Sequence, residues 1–297
     1  MAPSESEDGV VRVGVIFPQT EIGADPGAIR AYAAAVAGAG FQHVLAYDHV
    51  IGADPAGHPG WAGPYNVAST FHEPLVLFGF LAGISELELV TGVVILPQRQ
   101  TVLVAKQAAE VDVLAQGRFR LGVGLGWNAV EYEAMGEDFH SRGRRVEEQI
   151  SLLRRLWTEP VVDFAGEYHR VTAAGIAPLP VQRPIPVWMG CGSDPRALRR
   201  VGRIADGWLP FGLPGPQLEQ RVALVREGAA AAGRPPDALG MEGRIDFRDG
   251  DLDRIAGEAQ AWTKAGATHL SVNTMDAGLA TVDDHLSALE RTARELL

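Results

Sequence analysis

A (β/α)8 barrel of the α/β class is the fold this sequence predicts, and three observations predict it. Eight short β-branched runs alternate with eight helical segments, the chain has 297 residues, and no break in composition divides it. A doubly wound sheet usually stops at five or six strands, whereas one barrel takes roughly 250 residues. A single domain over 1–297 is expected, with 1–10, acidic and small, as a frayed tail and not a signal peptide.

The elements follow in order. Residues 11–17 form the first strand, and Pro26 opens a helix ending near Gly38 or Gly40. Residues 41–47 form strand two and run straight into Asp48 and His49. A long Gly/Pro-rich loop, 52–72, precedes a second helix opened by Glu73 and Pro74. Residues 87–96 are an apolar, largely β-branched run closed by Pro97, suited to a strand buried on both faces. Thr101 caps a third helix whose apolar stripe is Val104, Ala108, Val111 and Leu114, and Gly117 ends it. Strand four begins at Phe119 and runs into Gly122, Gly124 and Gly126, followed by Trp127 and Asn128. A helix over 141–157 follows, then an inserted hairpin over 158–184 with Gly166 at its turn. Strands at 185–189, 207–211, 241–247 and 268–274 alternate with helices opening at Pro195, Pro216, Leu252 and Val282.

Composition excludes several functions. A net charge of −11 argues against a phosphate-tracking nucleic-acid surface, and no apolar run reaches the roughly 18 residues of a membrane span. The single cysteine, Cys191, rules out an internal disulfide, and neither a Cys pair nor H-E-x-x-H speaks for a metal. A reducing, cytoplasmic setting and a small-molecule substrate are expected.

In a barrel, function sits on the loops that follow the strands. Three glycines at every second position allow two readings: close approach of a flat ring or phosphate to the main chain, or a tight turn packing helix on strand. A dinucleotide fingerprint fails on spacing, because it needs glycine at Trp127 or Ala129. His49 is the catalytic candidate, since an imidazole at a strand's end can bond a substrate oxygen or relay a proton; the bland alternative is a bond to a neighbouring carbonyl. His58 and His72 in the long loop are read as solvated. Gly190, Cys191, Gly192, Ser193 and Asp194 join strand five to a helix start that suits a phosphate, although Asp194 as an acidic cap would compete for the same N–H groups. Cys191 is read as a packing residue. Arg142, Arg144 and Arg145 with Glu147 and Glu148 are read as a solvated, salt-bridged helix end.

These residues resemble a family, the luciferase-like monooxygenase superfamily in its branch dependent on the deazaflavin coenzyme F420. The match is carried by Gly14-Val15-Ile16-Phe17-Pro18, Ala39-Gly40-Phe41 through Asp48-His49, Glu73-Pro74 and Thr91-Gly92-Val93-Val94-Ile95-Leu96-Pro97. It continues in Gly122-Val123-Gly124-Leu125-Gly126-Trp127 with Glu131-Tyr132, Phe139 to Arg142 with Glu148, Pro186-Val187-Trp188-Met189-Gly190 and Ala205-Asp206-Gly207-Trp208. The resemblance implies a bacterial-luciferase-like barrel, a homodimer, and a ring in the barrel mouth backed by a bulge with a cis peptide at Val93-Val94. It places Asp48 and His49 near that ring, with Gly124, Gly126, Trp127 and Asn128 around it and phosphate contacts on Gly190, Gly192, Ser193 and Asp194. The coenzyme's anionic tail calls for cations, for which Arg99, Arg196 and Arg199 are available. Trp127 stands where sugar-phosphate dehydrogenases of this family carry a glutamate acid, so sugar-phosphate oxidation is not expected. The expected activity is hydride transfer between F420 and a small organic substrate; the alternatives are an FMN-dependent monooxygenase and a non-catalytic coenzyme-binding barrel.

Overall fold

The computed structural model describes residues 10–235 and 237–297, so nearly all of the expected N-terminal tail, 1–9, lies outside the described residues. Eight parallel staves close into a barrel. They are β1 (Arg12–Ile16), β2 (His43–Ala46), the pair β3 (Glu88–Thr91) and β4 (Val94–Ile95), β5 (Phe119–Gly124), β8 (Val187–Cys191), β9 (Gly207–Pro210), β10 (Gly240–Asp246) and β11 (His269–Asn273). Strands β6 (Val162–Ala165) and β7 (Arg170–Ala174) form a separate antiparallel hairpin between staves four and five, with Gly166 at its turn. Closure comes from β5, which pairs with β3 at Leu89↔Phe119 and with β4 at Val94↔Val123.

Eight long helices follow the staves: α1 (Pro26–Gly38), α2 (Pro74–Ala82), α3 (Thr101–Leu114), α5 (Arg142–Thr158), α6 (Pro195–Ile204), α7 (Pro216–Ala231), α8 (Leu252–Lys264) and α9 (Val282–Leu296). A ninth helix, α4 (Ala129–Ala134), is too short to show a period and was not expected from the sequence. Three expectations change in detail. The third strand is not continuous, and its cis peptide is Gly92-Val93, one bond before the expected Val93-Val94. At position 92 a Cβ would overlap the Leu45 side chain, a close approach that glycine admits. Thr101 is the first helical residue and Gln100 precedes it without a side-chain cap; Leu114 is 47% exposed, outside the buried stripe of Val104, Ala108 and Val111.

Strand side chains alternate between the barrel interior and the helical layer. Val44 and Ala46 pack outward into the main core, while Leu45 joins Ile16, Val90 and Met275 in an inner cluster against Tyr47 and Leu209. Below them, at the strands' starting ends, lies a layer of buried charge. Arg120 Nε donates to Glu88 at 2.9 Å and its Nη1 to Glu242 at 2.8 Å, His43 Nε2 lies 2.9 Å from Glu242, and the guanidinium stacks over Trp188 at 4.4 Å. Paired charges tolerate burial that a lone charge would not. They seal the base and leave the opposite end, where the loops emerge, for a cavity.

Candidate active site

That end holds a cavity of about 840 Å³, within the usual range for a small-molecule site. Of the residues expected at a site, Asp48, His49, Val93, Gly124, Gly126, Trp127, Gly190, Gly192 and Asp194 line it. Three do not. Val94 is buried in the pairing with Val123, and Ser193 is exposed outside the cavity. Asn128 caps α4 through Val130 N–H at 3.1 Å and lines a smaller cavity of about 270 Å³, which shares His49 and Tyr65 with the main one.

The glycine run packs strand against strand, not helix on strand, and Gly124 and Gly126 also line the cavity. A Cβ at Gly122 would overlap the Thr91 carbonyl, one at Gly124 the Val93 side chain, and one at Gly126 the Ile95 side chain. Glycine at these positions lets the broken third stave press against β5, so Val93 and Ile95 become the cavity's floor. Gly192 differs, since nothing stands within 4 Å of a Cβ built there and its side opens on the cavity.

Asp48 is an anchor. Its Oδ2 accepts the Ile95 N–H at 3.1 Å and its Oδ1 accepts Arg99 Nη2 at 2.8 Å, while Arg99 Nη1 donates to Glu73 at 2.8 Å. Burial pushes the Asp48 carboxyl above its ordinary range, against the opposing pull of Arg99. Two acceptors therefore occupy Arg99, which joins the ends of staves two and three instead of standing free at the rim.

His49 sits in an aromatic box, with ring centroids of Phe71 at 4.7 Å, Tyr65 at 5.1 Å and Trp127 at 5.8 Å. The long loop folds back over this box: Trp61 packs on Trp127 at 5.6 Å, and Pro64 and Tyr65 line the cavity. His72 is not free in solvent, since its Nε2 lies 3.2 Å from the Gly23 carbonyl and its ring 5.9 Å from that of Phe17. Beneath His49 lies Glu131 of α4, with Oε2 at 3.5 Å from His49 Nδ1. Burial works to raise the Glu131 carboxyl, but His49, the Val50 N–H and Gln98 hold it below its ordinary value.

Of the three cations expected at the cavity, Arg196 lines it and Arg99 and Arg199 do not. Arg142, Arg196, Arg200 and Arg244 line it, with His140, whereas Arg199 pairs with Glu227 at 3.0 Å elsewhere. Arg142 thus corrects its reading as a solvated helix end: its guanidinium stacks 3.7 Å over the Phe139 ring and faces the site. Arg144 keeps that reading, as an exposed residue 3.8 Å from Glu167. Arg200 is held to Glu147 at 2.7 Å. Asp194 caps α6 by accepting Arg196 N–H at 2.7 Å and Ala197 N–H at 3.1 Å, which occupies the donors a phosphate would need. Burial pushes the Cys191 thiol up to about 11, so at neutral pH it is no thiolate nucleophile.

Arg200 and Arg244 were not singled out in the sequence, and Glu131 and Arg142 were named there without a role in the site. Asn128-x-x-Glu131 was the available signal, because an amide followed three residues later by a glutamate marks a helix start. Arg244 stands on β10, 3.1 Å from Asp246, and sequence alone does not tell that its side chain turns to the cavity.

Known proteins resemble this chain. The luciferase-like monooxygenase family model matches residues 9–247. F420-dependent glucose-6-phosphate dehydrogenase of Nakamurella multipartita is 34% identical over 166 residues, 54% of this chain and 48% of that one. The chain spans about half the length of the curated relatives it matches in this way. Among solved structures, monooxygenase RslO1 of Streptomyces bottropensis superposes with a TM-score of 0.74 at 20% identity, covering 96% of this chain and 98% of that one. Coenzyme F420 dependent tetrahydromethanopterin reductase of Methanopyrus kandleri superposes with a TM-score of 0.73 at 18% identity, with the same coverage. These likenesses show the barrel, and the match over 9–247 shows more: the chain belongs to the luciferase-like monooxygenase family.

Proposed function

We propose that this protein is an F420-dependent oxidoreductase that transfers a hydride between the deazaflavin and a small organic substrate. One observation carries the reading: a histidine in an aromatic box and a rim of arginines face the same cavity of about 840 Å³. The donor set fits the group. Val93, Ile95 and Trp127 offer flat apolar surface for a ring system, and Arg142, Arg196 and Arg200 offer charge for an anionic tail. The similarity to an F420-dependent dehydrogenase supports the same choice.

Bound there, the deazaflavin would supply two-electron chemistry at its C5 position, and the protein would supply position and electrostatics. Trp127 and the loop carrying Pro64 and Tyr65 wall the site and limit water. His49 orients the substrate and holds or takes a proton at its oxygen. His49→Ala should lower turnover by about 10²–10⁴-fold while coenzyme affinity persists; unchanged turnover would remove His49 from the mechanism.

The first experiment is a titration of the purified protein with oxidised F420 and, separately, FMN, followed by quenching of Trp127 emission with Trp127→Phe as control. Saturable binding of F420 alone supports the proposal. Preference for FMN, with oxygen uptake coupled to product, selects the monooxygenase reading favoured by the similarity to RslO1. Coenzyme binding without turnover over a broad substrate panel selects a binding barrel. A homodimer is part of the proposal, and α2 supports it: the helix is apolar on every side, yet its Val76 is 70% exposed.

A further inference from the structure

We propose that Glu131 is a positioning residue for His49, fixing the proton on Nδ1 and leaving Nε2 to meet whatever occupies the cavity. The role of His49 itself rests on the reading above; the proposal adds the group behind it. The Glu131 side chain is 1% exposed, and among the described residues its one ion-pair partner is His49. A carboxylate withdrawn from water is tolerated only when its lone pairs find donors. Oε1 accepts the N–H of Val50 at 2.6 Å and of Ile51 at 3.3 Å. Oε2 accepts the Gln98 amide at 3.2 Å and faces His49 Nδ1 at 3.5 Å.

An ionised carboxylate only accepts, so the ring nitrogen turned to it must carry hydrogen. The neutral imidazole then has its lone pair on Nε2, where no hydrogen bond is recorded among the described residues. Phe71, Tyr65 and Trp127 pack around the ring and oppose a flip that would exchange the two nitrogens. The same carboxylate holds the two residues that follow His49, so ring and backbone are set by one group.

The other titratable groups facing His49 do not replace Glu131. Tyr65 comes from the long loop, and Asp48 on the same strand end is committed to Arg99 and the Ile95 N–H. Across the cavity, Arg142 and Arg244 are cations and cannot accept a proton from the ring.

The test is ¹⁵N NMR of the histidine side chains in the ligand-free protein, with His49 assigned by its loss in His49→Gln. Above its titration midpoint, wild-type His49 should be the Nδ1–H tautomer; an Nε2–H tautomer there overturns the proposal without any further variant. In Glu131→Gln the preference for Nδ1–H should be lost, and Glu131→Asp, which keeps the charge, should restore most of it. The same tautomer in wild type and Glu131→Gln would reduce Glu131 to a clamp on the loop backbone. This readout needs no coenzyme, so it separates failure of the proposal from failure of the F420 reading. In the loaded enzyme, Glu131→Gln should lower kcat by about tenfold or more and leave F420 affinity within about twofold of wild type.

Discussion

Single residues at the barrel's base set the response to acid. Burial, with the Arg120 charge beside it, pulls His269 from 6.5 down to about 3, and burial likewise lowers His285 at the opposite, loop end, 2.8 Å from Thr274. Between about pH 6.5 and 3 the unfolded chain takes up protons that the folded chain refuses, so stability declines as pH falls through that window. Glu242 acts later: burial opposes its ionisation, but Arg120 and His43 hold it well below 4.5, so its contribution is present above the ordinary carboxylate range and is lost only beneath it. The urea midpoint should therefore fall from pH 7 to 5, before the carboxylates titrate, and His269→Asn should flatten part of that slope; a wild-type midpoint constant over this range would contradict the assignment. At the cavity, Arg142→Met should raise the F420 dissociation constant by about tenfold, the scale of one hydrogen bond to a charged group, in the same quenching titration. Arg142 was misjudged from sequence for a physical reason: a run of arginines at a helix start looks alike whether it faces solvent or a cavity. His49 was legible because its position at a strand's end is a property of the chain itself. Glu131 was not, because its meaning depends on a partner 82 positions away whose approach only the barrel creates.

Among elements, the turn of the inserted hairpin gathers on the Glu148 side chain. Glu148 of α5 accepts the N–H of Glu167 at 2.7 Å and of Tyr168 at 2.9 Å, and lies 2.8 Å from His169 Nδ1; His169 Nε2 in turn reaches Thr101 of α3 at 2.6 Å. A Cβ at Gly166 would overlap the Glu148 carboxyl group. Gly166→Ala should cost about 1–3 kcal/mol of stability and speed proteolysis within the hairpin while coenzyme affinity holds; unaltered urea denaturation and proteolysis would show that Glu148 is not the latch. Strands and long helices were legible because their periods repeat and their ends carry glycine, proline or an acidic cap, as at Asp25, Glu73 and Asp194. The exceptions were α4, six residues long, and the interruption at Gly92, where the β-branched residues on either side read as one strand.

At the scale of the molecule, the count of eight βα units gave the barrel, while the charge layer at its base carries no mark in the sequence, because His43, Glu88, Arg120 and Glu242 stand singly on four strands. Assembly belongs to this scale: sedimentation at micromolar concentration should give twice the chain mass, and Val76→Glu should shift it toward one; a monomeric wild type would remove the homodimer from the proposal. The grip of Glu131 on Val50 and Ile51 has a consequence for building variants. The segment after β2 and the short helix after β5 form one exchange block, although about 80 positions of chain separate their contacts. A chimera that imports a relative's substrate loop but keeps this chain's α4 would strand an ionised carboxylate against a foreign backbone. Recombination across this barrel mouth should therefore succeed when both pieces travel together and fail when either travels alone.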